Sequence, residues 1–104
     1  MAKGLGNMMK QAQQMQKKMA LVQEEMEKRE VEASAGGGMV TAVVNGKQQV
    51  LSVKIDPSAV DPQDVEMLQD LIMVAINEAI RQSQDMMQQE MSKLTGGMNI
   101  PGLF

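Results

Sequence analysis

Residues 39–55 read MVTAVVNGKQQVLSVKI, two runs rich in β-branched residues on either side of Asn45-Gly46. Asn-Gly between two such runs is the strongest short signal for a β-hairpin, because a type I′ turn needs positive φ at both central residues. The stretch therefore predicts an antiparallel hairpin in the middle of the chain. A two-residue turn sets three cross-strand pairs: Val44 with Lys47, Ala42 with Gln49 and Val40 with Leu51.

The hairpin is predicted to have a core face and a mixed face, because paired residues share a face. The predicted core face carries six apolar residues: Val40, Ala42, Val44, Leu51, Val53 and Ile55. Upstream, residues 31–35 alternate between apolar and polar and then meet Gly36-Gly37-Gly38, which predicts one more strand and a flexible turn. The three strands are expected in meander order. No Walker lysine or GxGxxG pattern follows the glycines, so a phosphate loop is not favoured.

The first 30 residues have a different period. Apolar residues recur at alternating spacings of three and four: Leu5, Met8, Ala12, Met15, Met19, Val22 and Met26. This a/d heptad pattern predicts a helix over residues 7–29, with Asn7 as its N-cap. The stripe packs either against the protein's own core or against a partner helix, and its narrowness favours the partner. The predicted dimer or helix seam comprises Met8, Ala12, Met15, Met19, Val22 and Met26.

A second helix follows the hairpin. Asp61 is predicted to be its N-cap and Pro62 its first residue, and Gly96-Gly97 is expected to stop it after about Leu94. About 33 helical residues span roughly 50 Å, whereas a compact 100-residue domain has a radius of gyration of only about 13 Å. The far half of this helix must therefore project into solvent or lie on another chain. A homodimer is expected from this length and from the heptad stripe.

The predicted fold is α+β, in the order αβββα, and residues 1–104 fit one domain with loose tails at 1–6 and 96–104. The chain has no His, Cys, Trp or Tyr, which removes the usual proton carriers, thiolates and zinc ligands. We expect no catalytic residue, cofactor, metal site or small-molecule substrate. Glu66 and Asp70 could share Mg²⁺, but a solvated helix face is the favoured interpretation. No signal peptide or membrane-spanning run is recognised, so a cytoplasmic location is expected.

Charge is distributed unevenly along the chain. Residues 1–23 carry four lysines and no acid, whereas residues 30–104 carry four basic and ten acidic side chains. Lys10 and Lys17 are seven residues apart and share one side of the first helix, with Lys18 adjacent. Such a row can neutralise phosphates and release counterions, which makes nucleic acid one candidate partner.

Several stretches together resemble the YbaB/EbfC family of bacterial nucleoid-associated proteins. They are residues 4–16 (GLGNMMKQAQQMQ), 43–46 (VVNG), 55–58 (IDPS), 66–71 (EMLQDL) and 97–102 (GMNIPG). Each motif alone is weak, but in this order and at these spacings they are specific, and they cover nearly the whole chain.

The resemblance implies a homodimer with projecting helices, like tweezers, in the bacterial cytoplasm and nucleoid. It implies binding to double-stranded DNA without chemistry, with effects on DNA conformation and gene expression. Contact with DNA is carried over to the helical cations: Lys10, Lys17, Lys18, Arg81 and Lys93. The alternative is a protein-interaction scaffold, in which a methionine-rich helix face holds a partner helix: either Met8, Met15, Met19 and Met26, or Met86, Met87 and Met91. A membrane-surface helix at residues 5–26 is weaker, because it lacks Trp, Phe and dense Leu.

Overall fold

The computed structural model describes residues 2–95, without the side chains of residues 2, 3 and 95. Its elements are helix α1 (Ala2–Lys28), strands β1 (Glu30–Ala35), β2 (Val40–Asn45) and β3 (Val50–Ile55), a 3₁₀ turn (Pro57–Ala59) and helix α2 (Val65–Thr95). The α+β fold in the order αβββα is confirmed. The predicted tail at 96–104, the Gly96-Gly97 stop and the 97–102 motif lie outside the described residues.

Both helix starts differ from the prediction. α1 begins at Ala2 instead of Asn7, so residues 2–6 are helical and not loose. α2 begins at Val65, three residues after Pro62. Asp61 caps a turn, because its carboxylate accepts a hydrogen bond from the Gln63 amide at 2.9 Å. The carboxylate that meets the first turn of α2 is Asp64, which accepts from the Met67 amide at 3.3 Å.

The sheet has the predicted meander order β1-β2-β3. β1 and β2 pair antiparallel, with Val31 opposite Val44, Ala33 opposite Ala42 and Ala35 opposite Val40. The turn between them is built by Gly36, Gly37 and Gly38, whose φ angles are 64°, 67° and 97°. These positive values explain the glycine run, since side chains rarely adopt them.

The predicted register of the β2–β3 hairpin is wrong. Asn45 pairs with Gln49 across a three-residue loop, and the observed partners are Val44 with Val50, Ala42 with Val53 and Val40 with Ile55. Gln48, not Asn45 or Gly46, takes the left-handed conformation, with φ 63°. The Asn45 carboxamide oxygen accepts from the amides of Lys47 and Gln49, both at 3.0 Å, which stabilises the longer loop. A bulge at Val43/Val44 then leaves Leu51 without a cross-strand partner.

α2 packs across β1 and β2. Its side chains Leu68, Leu71, Ile72, Ile76 and Ile80 lie against a fully or nearly fully buried cluster: Ala33, Ala35, Val40, Ala42, Val44, Ala75 and Ala79. The predicted core positions on β2 are confirmed. Those on β3 are wrong, because α2 does not extend over that strand: Leu51, Val53 and Ile55 are 49%, 37% and 38% exposed.

α1 and the second half of α2 extend beyond the end of the sheet, in a molecule measuring 73 × 24 × 17 Å. α1 packs against α2 and the end of β2. Burial falls along α1 from the sheet outward: Met26 is fully buried, Met15, Met19 and Val22 are half-buried, and residues 4–14 are exposed. α2 has a matching half-buried stripe: Met86, Met87, Glu90, Met91 and Leu94. The two helices therefore form a stalk, and residues 4–14 of α1 extend beyond it, exposed in the part of the chain that the structure describes.

Candidate nucleic-acid interface

Lys10 and Lys17 are placed on the outer side of α1. Both are exposed. Lys17 is two residues from Met15 and two from Met19, which places it on the face of the helix opposite the half-buried stripe. Seven helical residues rise about 10.5 Å, so the two ammonium groups can reach separate phosphates of one duplex. Lys18 is also exposed and lies about 100° around the helix from Lys17.

These three lysines lie in a region without competing acids. The first acidic residue of the chain is Glu24. Among residues 2–95, the ion pairs involve only Arg29, Arg81 and Lys93 as cations, so Lys10, Lys17 and Lys18 have no carboxylate partner there. Their charge is available to an external anion.

The two cations of α2 have a different environment. The Arg81 guanidinium donates to Glu78 and, at 3.1 Å, to Asp85. The hydrogen bond from Arg81 lowers the pKa of Glu78, and Glu78 in turn raises the pKa of Arg81. Lys93 lies 3.3 Å from Glu90, whose carboxylate also accepts from Arg29 at 2.8 Å. Arg81 thus has two carboxylate partners and Lys93 shares one carboxylate with Arg29, which ranks both below the α1 lysines as phosphate ligands.

Two glutamines extend the basic surface and were missed in the sequence reasoning. Gln11, Gln14 and Lys18 line, with Met15, an open cleft of about 300 Å³ on α1. Their i, i+3, i+7 spacing was the available signal. Side-chain amides commonly donate hydrogen bonds to phosphate oxygens, so these residues add neutral donors beside the cation.

The predicted seam residues do not all lie in one environment. Met15, Met19, Val22 and Met26 lie on the half-buried to buried stripe where α1 packs on α2, whereas Met8 is 68% exposed and Ala12 is exposed. Part of the stripe therefore packs within the chain. The assignment of these six residues to a dimer seam stays a prediction.

Most methionines on which the scaffold hypothesis depends are partly or fully buried within the chain, although Met8 is exposed. Met86, Met87 and Met91 are half-buried on the stripe that matches α1. Their burial within the stalk leaves little of that surface for a helix of another protein.

Two further findings concern the part of the chain that the structure describes. Within residues 2–95, no helix is long and apolar enough to cross a membrane. No cluster of three or more acidic, histidine or cysteine side chains in that range could hold a metal ion.

Comparison with known proteins gives one consistent result. The YbaB/EbfC DNA-binding family matches residues 1–98. A nucleoid-associated protein of Alkaliphilus metalliredigens is 60% identical over 99% of this chain and 90% of its own length. One from Desulforamulus reducens is 59% identical over 100% and 99%. An uncharacterized protein of Helicobacter pylori, solved by crystallography, shares the fold with a TM-score of 0.62, at 24% identity, over 84% of this chain and 96% of its own.

Proposed function

This chain belongs to the YbaB/EbfC DNA-binding family, and from that membership we propose that it is a nucleoid-associated protein that binds double-stranded DNA as a homodimer. The observation that carries the proposal is the placement of Lys10, Lys17 and Lys18. They lie exposed on a projecting helix, without a carboxylate partner among residues 2–95, while ten of the 13 acidic residues belong to the body of the molecule, residues 30–95. The protein acts by binding, in the cytoplasm and at the nucleoid, and not as an enzyme.

The contacts are made chiefly to phosphates. Lysine presents a point charge on a flexible stem, and the chain has no Trp or Tyr with which to stack on bases. Phosphate contacts position a protein on the duplex and carry no sequence information directly. Any sequence preference then arises from the shape and deformability of the DNA.

The uncovered side of β3 supports a homodimer. Val50, Val53 and Ile55 lie on the sheet face that α2 covers over β2, because they pair with Val44, Ala42 and Val40, yet they are 46%, 37% and 38% exposed. A half-covered sheet face leaves apolar area in water. A second copy is the occupant we propose, because it brings the same face in a closed, symmetric arrangement.

Dimerisation also doubles the basic surface. Two protomers present two α1 arms, each with residues 4–14 exposed beyond the stalk. Two such arms can grip one duplex at two places, which would alter its conformation and, through it, gene expression.

A pair of matched charge reversals tests the DNA assignment. Lys10→Glu/Lys17→Glu removes two α1 cations, and Lys47→Glu/Lys54→Glu removes two exposed cations of the body with the same change in net charge. We expect the α1 variant to lose binding to a fluorescent duplex in an anisotropy titration, whereas the body variant binds nearly as the parent does. Equal losses in both variants would show that net charge, and not the α1 row, governs binding.

A further inference from the structure

The turn between β2 and β3 contacts both helices. Its residues Asn45 and Gly46 lie at the end of the sheet where α1 arrives and α2 passes. Asn45 is 2% exposed and Ser83 of α2 is fully buried; they are the buried polar residues of the described chain. Buried polar groups are normally hydrogen-bonded, and the side chains of Asn45 and Ser83 both are.

The turn caps the C-terminal end of α1. The last carbonyls of a helix have no partner within the helix. Here the Gly46 amide donates to the Met26 carbonyl at 2.8 Å and to the Arg29 carbonyl at 3.0 Å. The Asn45 carboxamide nitrogen donates to the Glu27 carbonyl at 3.2 Å. Donors from one hairpin turn thus satisfy three carbonyls at the α1 terminus.

α2 holds the same turn from the other side. The Ser83 hydroxyl donates to the Asn45 carbonyl at 2.7 Å, a carbonyl that also accepts from the Gln48 amide at 3.1 Å. Asn45 is itself fixed by bonds to the Lys47 and Gln49 amides and by its donation to the Gln49 side chain at 2.7 Å. All the side-chain hydrogen-bonding capacity of Asn45 is used, which leaves it one orientation.

Close packing reinforces the hydrogen bonds. A Cβ added at Gly46 would lie 2.6 Å from the Met26 carbonyl oxygen, 2.7 Å from the Met26 Cβ and 3.0 Å from its Cα. Two of these atoms are backbone, so any side chain at position 46 has to displace the end of α1. Gly46 does not have a positive φ. Glycine is therefore required at this position by proximity to α1 and not by turn geometry.

We propose that Asn45, Gly46 and Ser83 are positioning residues, which together set the direction in which α1 leaves the sheet. Among residues 2–95, α1 contacts the end of β2 at the junction and α2 along the stalk, so the junction fixes the end of the helix from which residues 4–14 project. Gln14 lies roughly 21 Å along the helix from Lys28, and a small displacement at the junction grows over that length. The consequence for DNA, that the junction places the α1 lysines, rests on the function proposed above.

The chain contains no cysteine, which allows the direction of α1 to be measured with a pair of spin labels. Labels at Met9→Cys on α1 and Glu32→Cys on β1 use two exposed positions outside the proposed DNA-binding surface. Labelled protein diluted with an excess of unlabelled protein reports the distance within one protomer. We expect Gly46→Ala to shift this distance by several ångström or to broaden its distribution.

Gly37→Ala is the matched control. It places an alanine at a positive φ of 67° in the other hairpin turn, where an added Cβ meets nothing within 4 Å. It should lower stability while leaving the interspin distance at the parental value. Ser83→Ala, which removes one buried hydrogen bond without a clash, should broaden the distribution and provides the test if Gly46→Ala does not fold.

An unchanged distance distribution in the folded Gly46→Ala protein, or in Ser83→Ala where that is the variant tested, would overturn the proposal. A shifted distance accompanied by parental affinity for duplex DNA would overturn its DNA part. The expected result is a shifted distance with severalfold weaker binding. Failure of the proposed function is distinguishable, because Lys10→Glu/Lys17→Glu would then bind DNA normally while the distance shift in Gly46→Ala remained.

Discussion

At the scale of single residues, the ability of a cationic side chain to bind a phosphate depends on the charged groups beside it. Arg81 has more hydrogen-bond donors than any other side chain of α2, but it forms ion pairs with Glu78 and Asp85. Lys17 has no carboxylate partner among residues 2–95. A cation that already forms an ion pair has to break that pair before it can bind a phosphate. The spacing of Arg81 from Glu78 and Asp85 is visible in the sequence, and the geometry shows that both ion pairs form.

Single alanine substitutions should separate the two cations. We expect Lys17→Ala to reduce the salt dependence of DNA binding by about one unit of slope for each phosphate that the protein no longer neutralises, since each neutralised phosphate releases counterions. Arg81→Ala should leave the slope unchanged. Anisotropy titrations at several salt concentrations measure both, and an equal effect of the two substitutions would contradict the ranking.

Glu90 links the end of α1 to α2 in a pH-dependent way. Hydrogen bonds from Arg29 and Lys93 lower the pKa of Glu90 below its ordinary value of 4.5. A carboxylate whose pKa is lower in the folded state contributes stability above its ordinary pKa and loses it as the pH falls through the folded value. Glu90→Gln should therefore lower the melting temperature slightly at pH 7.

The deficit of Glu90→Gln should shrink as the pH is lowered below 4.5. Glu32→Gln, which removes an exposed carboxylate on β1, serves as the control and should melt close to the parental temperature at pH 7. Thermal melts followed by circular dichroism at a series of pH values provide the measurement. A Glu90→Gln deficit that is constant with pH would exclude a role for the ion pair.

At the scale of the elements, alanines set the distance between α2 and the sheet. Ala75 and Ala79 of α2 are fully buried in one cluster with Ala33, Ala35 and Ala42 of the sheet. Small residues on both sides allow the helix to lie close to the strands, and a closely packed interface does not tolerate added volume.

Overpacking this interface should destabilise the fold. Ala79→Leu is expected to cost about 1–3 kcal/mol of unfolding free energy, because the added atoms have no space. Ala20→Leu, at an exposed position of α1, is the matched control and should change stability little. Urea denaturation gives both values. If Ala79→Leu were as stable as Ala20→Leu, α2 would be able to move away from the sheet without a loss of unfolding free energy.

The elements and the strand order were largely predictable, but the hairpin register and the exposure of β3 were not. Heptad spacing on α1 and the β-branched runs predicted helix and strands correctly. The hairpin register was wrong because Asn45 and Gly46 serve α1 and the loop together, a tertiary demand that turn propensity does not contain. The exposure of Val53 and Ile55 depends on how far α2 extends across the sheet, which periodicity does not encode.

At the scale of the whole molecule, the uncovered face of β3 governs the dimer prediction. Val53→Lys/Ile55→Lys places two charges on that face and should convert the dimer into a monomer, as measured by size-exclusion chromatography with light scattering. Val60→Lys, at another exposed apolar position, should leave the dimer intact. If Val53→Lys/Ile55→Lys stayed dimeric, the β3 face would not be the dimer interface, and the apolar stripe of α1 would be the next candidate.

The candidate interface was foreseen in outline. The acid-free run before Glu24 and the seven-residue spacing of Lys10 and Lys17 are visible in the sequence, and the structure adds that both lysines are exposed on the outer side of a projecting helix. The position of Gln11 and Gln14 beside Lys18, and the ion pairs that Arg81 and Lys93 form, required side-chain geometry.

The salt dependence of duplex DNA binding by the parent protein tests the central claim most directly. A dimer presents six α1 lysines at positions 10, 17 and 18, and if all of them meet phosphates the logarithm of the association constant should fall with a slope of about −5 against the logarithm of salt concentration. A clearly negative slope of that order is the predicted result. An affinity that does not change with salt concentration, or no binding at about 50 mM salt, would contradict the claim that the α1 lysines bind DNA phosphates.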